Sequence, residues 1–219
     1  MKKTAVVAVF ILAVMAVAAK AQSDTKYSVS LLDGAAIPVS GLWHSNSANI
    51  DGHTYDMSAK TSAANALAVD YKLNSNIAVG MEIGRSWAHT NDLILESGGT
   101  VAIGQYTPYV KVSKQMGKLT PYGILGAGLY TVSAESLPVL EEYYDGLGYG
   151  RSYGYFGFNA GLGATYALGG GFEIGIDARW HHVCSNFAAF DFTTPDFSVT
   201  QIAINNITPS LKIQYDFNL

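Results

Sequence analysis

The feature that most constrains this chain is a strict alternation of apolar and polar side chains over its last thirteen residues. The odd positions from Ile207 to Leu219 are all apolar, and the even positions from Thr208 to Asn218 are all polar. Successive side chains of a β-strand point to opposite faces, so this segment predicts a strand with one apolar and one polar face. Such a strand is typical of a membrane β-barrel, in which one face meets lipid and the other a polar lumen.

Seven further segments predict strands, and three of them alternate clearly. In these three the second face carries small or charged residues, which a soluble half-buried strand does not require. The clear segments are 77–84, 156–166 and 172–180, and the weaker ones are 26–36, 63–71, 100–113 and 120–133. Together with the C-terminal segment they predict an all-β fold, an eight-stranded antiparallel up-and-down transmembrane β-barrel.

The connections between these strands alternate in length. Three are short, at 72–76, 114–119 and 169–171, and four are long, at 37–62, 90–99, 134–151 and 184–199. Membrane barrels place short turns on the periplasmic side and long loops outside. We therefore expect both termini in the periplasm and the four long loops at the cell surface.

The first 21 residues predict a cleaved signal peptide. Lys2 and Lys3 precede an uncharged apolar run, which ends in Ala19-Lys20-Ala21. The run holds about 15 residues, whereas a membrane-spanning helix needs about 20. We expect residues 1–21 to be removed and residues 22–219 to form one outer-membrane β-barrel domain.

Composition excludes several classes of protein. The mature chain keeps 10 basic against 17 acidic residues, so nucleic acid is not an expected partner. Cys184 is the only cysteine and lies far from the cleavage site, which excludes an internal disulfide and an N-terminal lipid anchor. The 23 glycines and 14 tyrosines suit a barrel with aromatic girdles.

Charged side chains fall on the predicted lumen face of several strands. They are Asp70, Glu82, Lys111, Glu173, Asp177, Arg179, Lys212 and Asp216. They could form a gated conduit or a catalytic cluster, but an eight-stranded barrel is just wide enough for its own side chains to fill. Buried charges need partners, so we expect these groups to pair and close the lumen. No cofactor and no metal is expected there.

Short motifs along the strands carry a family resemblance. The motifs are 107–110 (TPYV), 120–123 (TPYG), 157–163 (GFNAGLG), 177–180 (DARW) and 207–210 (ITPS), in this order. With them the mature chain resembles the small outer-membrane β-barrel superfamily, the porin-like group that includes OmpW, OmpX and the membrane domain of OmpA. The resemblance implies an integral outer-membrane protein, and the OmpW member implies passage of small or hydrophobic solutes. The chain departs from the group by ending on Leu219 instead of Phe or Trp.

A histidine pair at the end of the seventh predicted strand suggests an enzymatic alternative. The stretch with His181, His182 and Ser185 resembles a lipid A deacylase, but Cys184 occupies the position of that family's serine. A serine nucleophile must lie within hydrogen-bond reach of its histidine on the same face. Ser185 lies three residues after His182 and hence on the opposite face of a regular strand. We therefore expect no enzymatic activity.

Two loop segments carry residues that could bind a ligand. His44 and His53 lie near Asp51 and Asp56, but their spacing matches no compact metal motif. The acidic segment 141–146 lacks the regular oxygen spacing of a calcium loop. Both are interpreted as solvated loop.

Arg85 falls on the predicted lipid face at the outer end of its strand, two residues before Trp87. We hypothesise that it contacts a lipid headgroup, and simple snorkelling to the interface is the alternative.

Three function classes remain. They are a structural or surface-interaction barrel with a closed lumen, a porin-like passage for small or hydrophobic solutes, and a lipid A-modifying enzyme, in this order. The register predicts mostly Gly, Ser, Asn and charged residues in the upper lumen, which favours the first class over a route for hydrophobic solutes. Expected partners are outer-membrane lipids including lipopolysaccharide and, through the C-terminal strand, the outer-membrane assembly machinery. We expect a monomer.

Overall fold

The structure, a computed structural model, describes residues 26–39, 47–50, 53–56, 59–89, 100–135, 152–191 and 198–218. The predicted signal peptide at 1–21 lies outside this range. No helix among the described residues is both long enough and apolar enough to cross a membrane.

Eight long strands form one closed antiparallel barrel, as predicted. They are β1 (Lys26–Pro38), β4 (Ser62–Lys72), β5 (Ile77–His89), β6 (Thr100–Ser113), β7 (Leu119–Glu135), β8 (Ser152–Gly169), β9 (Phe172–Asp191) and β10 (Ser198–Asn218). Each strand pairs with its sequence neighbours, and β1 closes the ring by pairing with β10 and β4. Closure leaves no unpaired edge, so every barrel strand can satisfy its backbone groups inside a membrane.

The alternation seen in the sequence sets which side chains face outward. On β10, Leu211 and Ile213 are 70% and 57% exposed, whereas Lys212 and Gln214 are 3% and 4% exposed. The same division holds on β9, where Ile174 and Ile176 face outward and Asp177 is buried. On these two strands the apolar side chains therefore cover the outside of the barrel and the polar ones face its inside.

Aromatic side chains lie beside the short turns on four neighbouring strands, β4, β1, β10 and β9. The Tyr27 and Phe217 rings lie 5.8 Å apart between β1 and β10, and the Phe172 and Tyr215 rings lie 4.7 Å apart between β9 and β10. Tyr71 on β4 extends this row of aromatic residues, with its ring centre 5.4 Å from that of Tyr27. We call these residues the turn-end girdle, and aromatic side chains at this position are typical of a membrane interface.

The wall extends further on the loop side than the sequence predicted. Strand β9 continues to Asp191 instead of ending at Trp180, so His181, His182 and Cys184 lie within the strand. The stretch beyond residue 183 lacks a clear alternation, because an outward face beyond the bilayer need not be apolar. The first long connection also contains a small hairpin of β2 (Ser47–Ile50) and β3 (His53–Asp56).

Candidate functional site

The centre of the lumen holds a layer of buried ion pairs. Lys111 pairs with Asp70, and Arg179 pairs with Glu82 and also donates from Nε to Asp177 Oδ1 at 2.8 Å. These five side chains and Lys212 are at most 5% exposed, and together they form what we call the charge layer. Three acids and three bases lie close together, so the layer is balanced in charge.

Two tyrosines complete the charge layer. The Tyr109 hydroxyl donates to Asp70, and the Tyr122 hydroxyl donates to Asp177 Oδ2 at 2.8 Å. The Lys212 ammonium lies 4.7 Å from the centre of the Tyr122 ring, a cation–π contact. Sequence reasoning missed both tyrosines, although Tyr109 lies two residues before Lys111 and therefore on the same face of β6.

Glycines on neighbouring strands make room for these rings. A Cβ added to Gly80 would lie 2.5 Å from Cζ of Tyr109, and one added to Gly163 would overlap the Tyr122 ring. Any other residue at either position would have to displace a tyrosine. Small lumen residues thus allow large neighbours to fill a narrow barrel, as the sequence suggested.

Two of the eight predicted lumen charges lie apart from the charge layer, near the short turns. Asp216 pairs with Lys72, and Gln214 donates to Glu173 Oε2 at 3.2 Å and to Asp216 Oδ1 at 2.8 Å. The sequence placed Lys72 on a short turn, but it is the last residue of β4. Parity alone could have identified Lys72, because it continues the inward-facing even positions of β4.

A neutral polar layer lies on the loop side of the charge layer. Asn159 donates to Thr107 Oγ1 at 3.1 Å, and the Tyr130 hydroxyl lies 3.1 Å from His181 Nδ1. All four side chains are buried. His181 therefore points into the lumen, away from the outer surface of the barrel.

The loop end of the lumen holds an apolar cluster beside the buried side chains of Ser86 and Asn206, where the sequence predicts mostly Gly, Ser, Asn and charge. Six buried residues pack together at this level with exposures of 0% to 5%: Val101, Ile103, Tyr130, Val132, Val183 and Ile204. We call this cluster the apolar cap. The sequence does not indicate it because residues 100–113 and 120–133 alternate only weakly and the clear alternation of β9 ends at Trp180.

A cavity of about 40 Å³ lies between the charge layer and the apolar cap. Its lining combines apolar side chains such as Leu32 and Ile103 with polar ones such as Arg179, His181 and Asn206. Ser86 Oγ also faces it and has no hydrogen-bond partner among the described residues. A space of this size and polarity can hold a few water molecules.

The proposed lipid contact and two residues of the histidine-containing stretch lie on the outward face of the barrel. Arg85 is exposed on β5, as its predicted position on the lipid side requires, and the side chain of Trp87 lies outside the described residues. His182 points outward, with Nδ1 2.7 Å from Asn205 Oδ1, and Cys184 is exposed. The side chain of Ser185 is likewise outside the description, so the structure does not test its relation to His182.

The loop candidates fall almost entirely outside the described residues. His44, Asp51 and the segment 141–146 are not covered, and His53 and Asp56 are described only as members of β3. No group of three or more His, Cys, Asp or Glu side chains within the described part of the chain is arranged to hold a metal ion.

The solved structures that resemble this chain include outer-membrane barrels. The chain is similar to Neisserial surface protein A, with 10% identity, a TM-score of 0.57, and coverage of 89% of this chain and 100% of that one. It is also similar to the Yersinia pestis attachment invasion locus protein Ail in complex with the heparin analogue sucrose octasulfate (16% identity, TM-score 0.47) and to OprG of Pseudomonas aeruginosa (13%, 0.46). The alignments cover 89% of this chain in both cases, with 100% of Ail and 96% of OprG.

One of the two sequence comparisons gives a match, to a family model. A search of curated proteins returned no match. The family model described as "Outer membrane protein beta-barrel domain" matches residues 5–205, which is most of the chain. With the closed eight-stranded ring and its apolar outer surface, this match establishes that the chain belongs to the outer membrane protein beta-barrel family and is an integral outer-membrane protein.

Proposed function

We propose that this protein is a structural or surface-interaction barrel whose lumen is closed by its own side chains. The observation that carries the proposal is the charge layer, in which Arg179 joins Glu82 on β5 to Asp177 on β9 across the inside of the barrel. A water channel would require these paired charges to separate, and breaking a buried pair is costly. The apolar cap adds a second barrier above the first.

Conductance across a planar bilayer tests the closed lumen. We expect the refolded wild-type barrel to produce no reproducible single-channel steps, because the charge layer and the apolar cap both block water. A trimeric porin inserted under the same conditions serves as the positive control, and heat-modifiable gel mobility verifies that the test protein has folded. Regular unitary steps from folded protein would contradict the proposal.

The orientation and the contacts in the membrane form part of the same proposal. The termini and short turns face the periplasm, and the long loops face outward. The turn-end girdle supports this arrangement, because it places one membrane interface beside the short turns. Lipopolysaccharide surrounds the outer half of the barrel, and β10 is the strand that the assembly machinery recognises.

Passage of small hydrophobic solutes is the second candidate, and the apolar cap favours it. A route for such solutes needs an apolar entrance, and Ile103, Val183 and Ile204 supply apolar surface at the loop end. If the barrel acts in this way, vesicles that contain it should take up a hydrophobic dye faster than empty vesicles, and Ile204→Asp should abolish the gain. Equal uptake by wild-type, variant and empty vesicles would eliminate this candidate.

A lipid A-modifying activity is the third class, and we propose that the protein lacks it. Mass spectrometry of lipid A from cells that express the barrel should show no acyl chain lost or added relative to cells without it. A change in acylation would overturn this part of the proposal.

A further inference from the structure

Three polar side chains form a stripe across the outward surface of the barrel. Asp33 on β1 lies beside Asn65 on β4, and Asn65 lies beside Arg85 on β5. Asn65 Nδ2 donates to Asp33 Oδ1, and all three residues are exposed. We call them the polar stripe. Residues of this kind are unexpected on a surface that should meet only lipid.

The polar stripe runs from the middle of the apolar band toward its outer edge. Asp33 lies six residues above Tyr27 of the turn-end girdle, and Arg85 lies eight residues above Ile77 at the same end. With a strand rise of about 3.3 Å and a tilt near 40°, Asp33 is roughly 15 Å and Arg85 roughly 20 Å above the girdle. The apolar band of such barrels is about 25 Å tall, so Asp33 lies close to its middle.

Lipid alone does not account for an acid at this depth. Ionisable residues within the membrane are costly and usually mark a contact with protein or an aqueous space. A lipopolysaccharide phosphate near Arg85 would gain from the cation, but the Asp33 carboxylate would repel it and lies below the headgroups. Within the described residues the side-chain partner of Asp33 is the neutral amide of Asn65, so an occupant that offers a positive charge at mid-depth would complete the stripe.

The arrangement of the stripe is self-complementary. Two copies in one membrane share their orientation, so a two-fold axis between them runs along the membrane normal. Such an axis through Asn65 places β5 of one copy opposite β1 of the other. Asp33 then faces Arg85 of the second copy, and the long arginine side chain spans the height difference of about 5 Å.

We infer that the β1–β4–β5 wall is the interface of a homodimer, in which Asp33 and Arg85 form two symmetric ion pairs between the copies. This inference goes beyond the proposed function and replaces the expectation of a monomer. A row of apolar side chains just below the stripe, Leu31, Leu67 and Ile83, is 48% to 55% exposed and extends the contact. Packing of such side chains holds membrane proteins together where no hydrophobic force acts.

Charge reversal in trans tests the dimer. Two differently tagged copies of the full chain are co-expressed and co-purified from outer membranes. Asp33→Arg or Arg85→Asp alone should lower self-co-purification at least about ten-fold, because like charges then face each other twice. The two single variants expressed together should co-purify like the wild type, because each reversed residue then meets an opposite charge. Contacts within one chain cannot produce this rescue.

Three controls keep the test decisive. Heat-modifiable mobility confirms that each variant is folded, and Lys118→Asp on an exposed turn should leave co-purification unchanged. In a Cys184→Ser background, Asn65→Cys should form a disulfide-linked dimer and Leu125→Cys, which is 66% exposed on β7, should not.

Two results would overturn the inference. One is that the mixed variants co-purify no better than each variant alone. The other is a wild-type chain that stays monomeric while Arg85→Ala removes stabilisation by added lipopolysaccharide, which would assign Arg85 to a lipid headgroup.

Discussion

Arg179→Leu is expected to lower the free energy of unfolding by about 3–5 kcal/mol, the cost of removing one partner from a buried ion pair. Arg179 is the cation that contacts both Glu82 and Asp177, so its loss leaves two carboxylates buried with less compensation. The charge layer then carries an excess of acid, so any ion leak past the apolar cap should favour cations. Urea unfolding in lipid vesicles measures the first effect, and planar-bilayer conductance measures the second.

A compensated variant separates charge from packing. Adding Glu82→Gln and Asp177→Asn to Arg179→Leu removes the uncompensated charges and should recover much of the lost stability, because replacing a whole buried ionic group costs less than breaking it. Arg179→Lys should be intermediate, since an ammonium cannot reproduce the forked geometry of guanidinium. If Arg179→Leu unfolded at the wild-type urea midpoint, the charge layer would not be what stabilises the lumen.

Gly163→Val should cause the second large loss. A Cβ at this position would overlap the Tyr122 ring and would lie 2.7 Å from the carbonyl oxygen of Ile176, so the ring must move away. The displacement would also break the 2.8 Å hydrogen bond from Tyr122 to Asp177. Overpacking costs about 1–3 kcal/mol, and losing a hydrogen bond to a buried charge costs about 1.5–3 kcal/mol more. The urea midpoint of the folded barrel should fall accordingly.

Gly123→Ala provides the matched control for this steric effect. Gly123 points outward on β7, and the nearest atom to an added Cβ is Leu162 Cδ2 at 3.7 Å, an ordinary contact. The variant should unfold like the wild type. Adding Tyr122→Leu to Gly163→Val should restore part of the stability by removing the ring that clashes. Equal losses from Gly163→Val and Gly123→Ala would show that strand glycines matter for the backbone and not for the tyrosine.

The sequence predicted the fold and the inward face of the barrel because both follow from the alternation of odd and even positions along each strand. Alternation with a period of two assigns Glu82, Asp177 and Arg179 to the lumen without knowledge of any neighbouring strand. It does not give the stagger between strands, which decides that Arg179 meets Glu82 and that Lys111 meets Asp70. The pairs could therefore be anticipated only as a group.

The apolar cap was beyond prediction for a different reason. Val101, Ile103 and Val132 lie toward the ends of their strands, where the lipid-facing side no longer has to be apolar and the alternation weakens. Apolar residues there are ambiguous between the two faces until the pairing of strands is known. The same weak alternation is why the sequence did not show that β9 extends to Asp191.

The pairing of Lys26 with Asn218 makes the barrel a ring in which the ends of the first and last strands are neighbours. In such a ring the position of the N- and C-termini has little effect on how the strands pair. A short linker could join the two ends, and new termini could open at the glycine turn, where Gly170 and Gly171 adopt positive φ angles of 63° and 85°. The architecture therefore lends itself to circular permutation, with every strand keeping both of its partners.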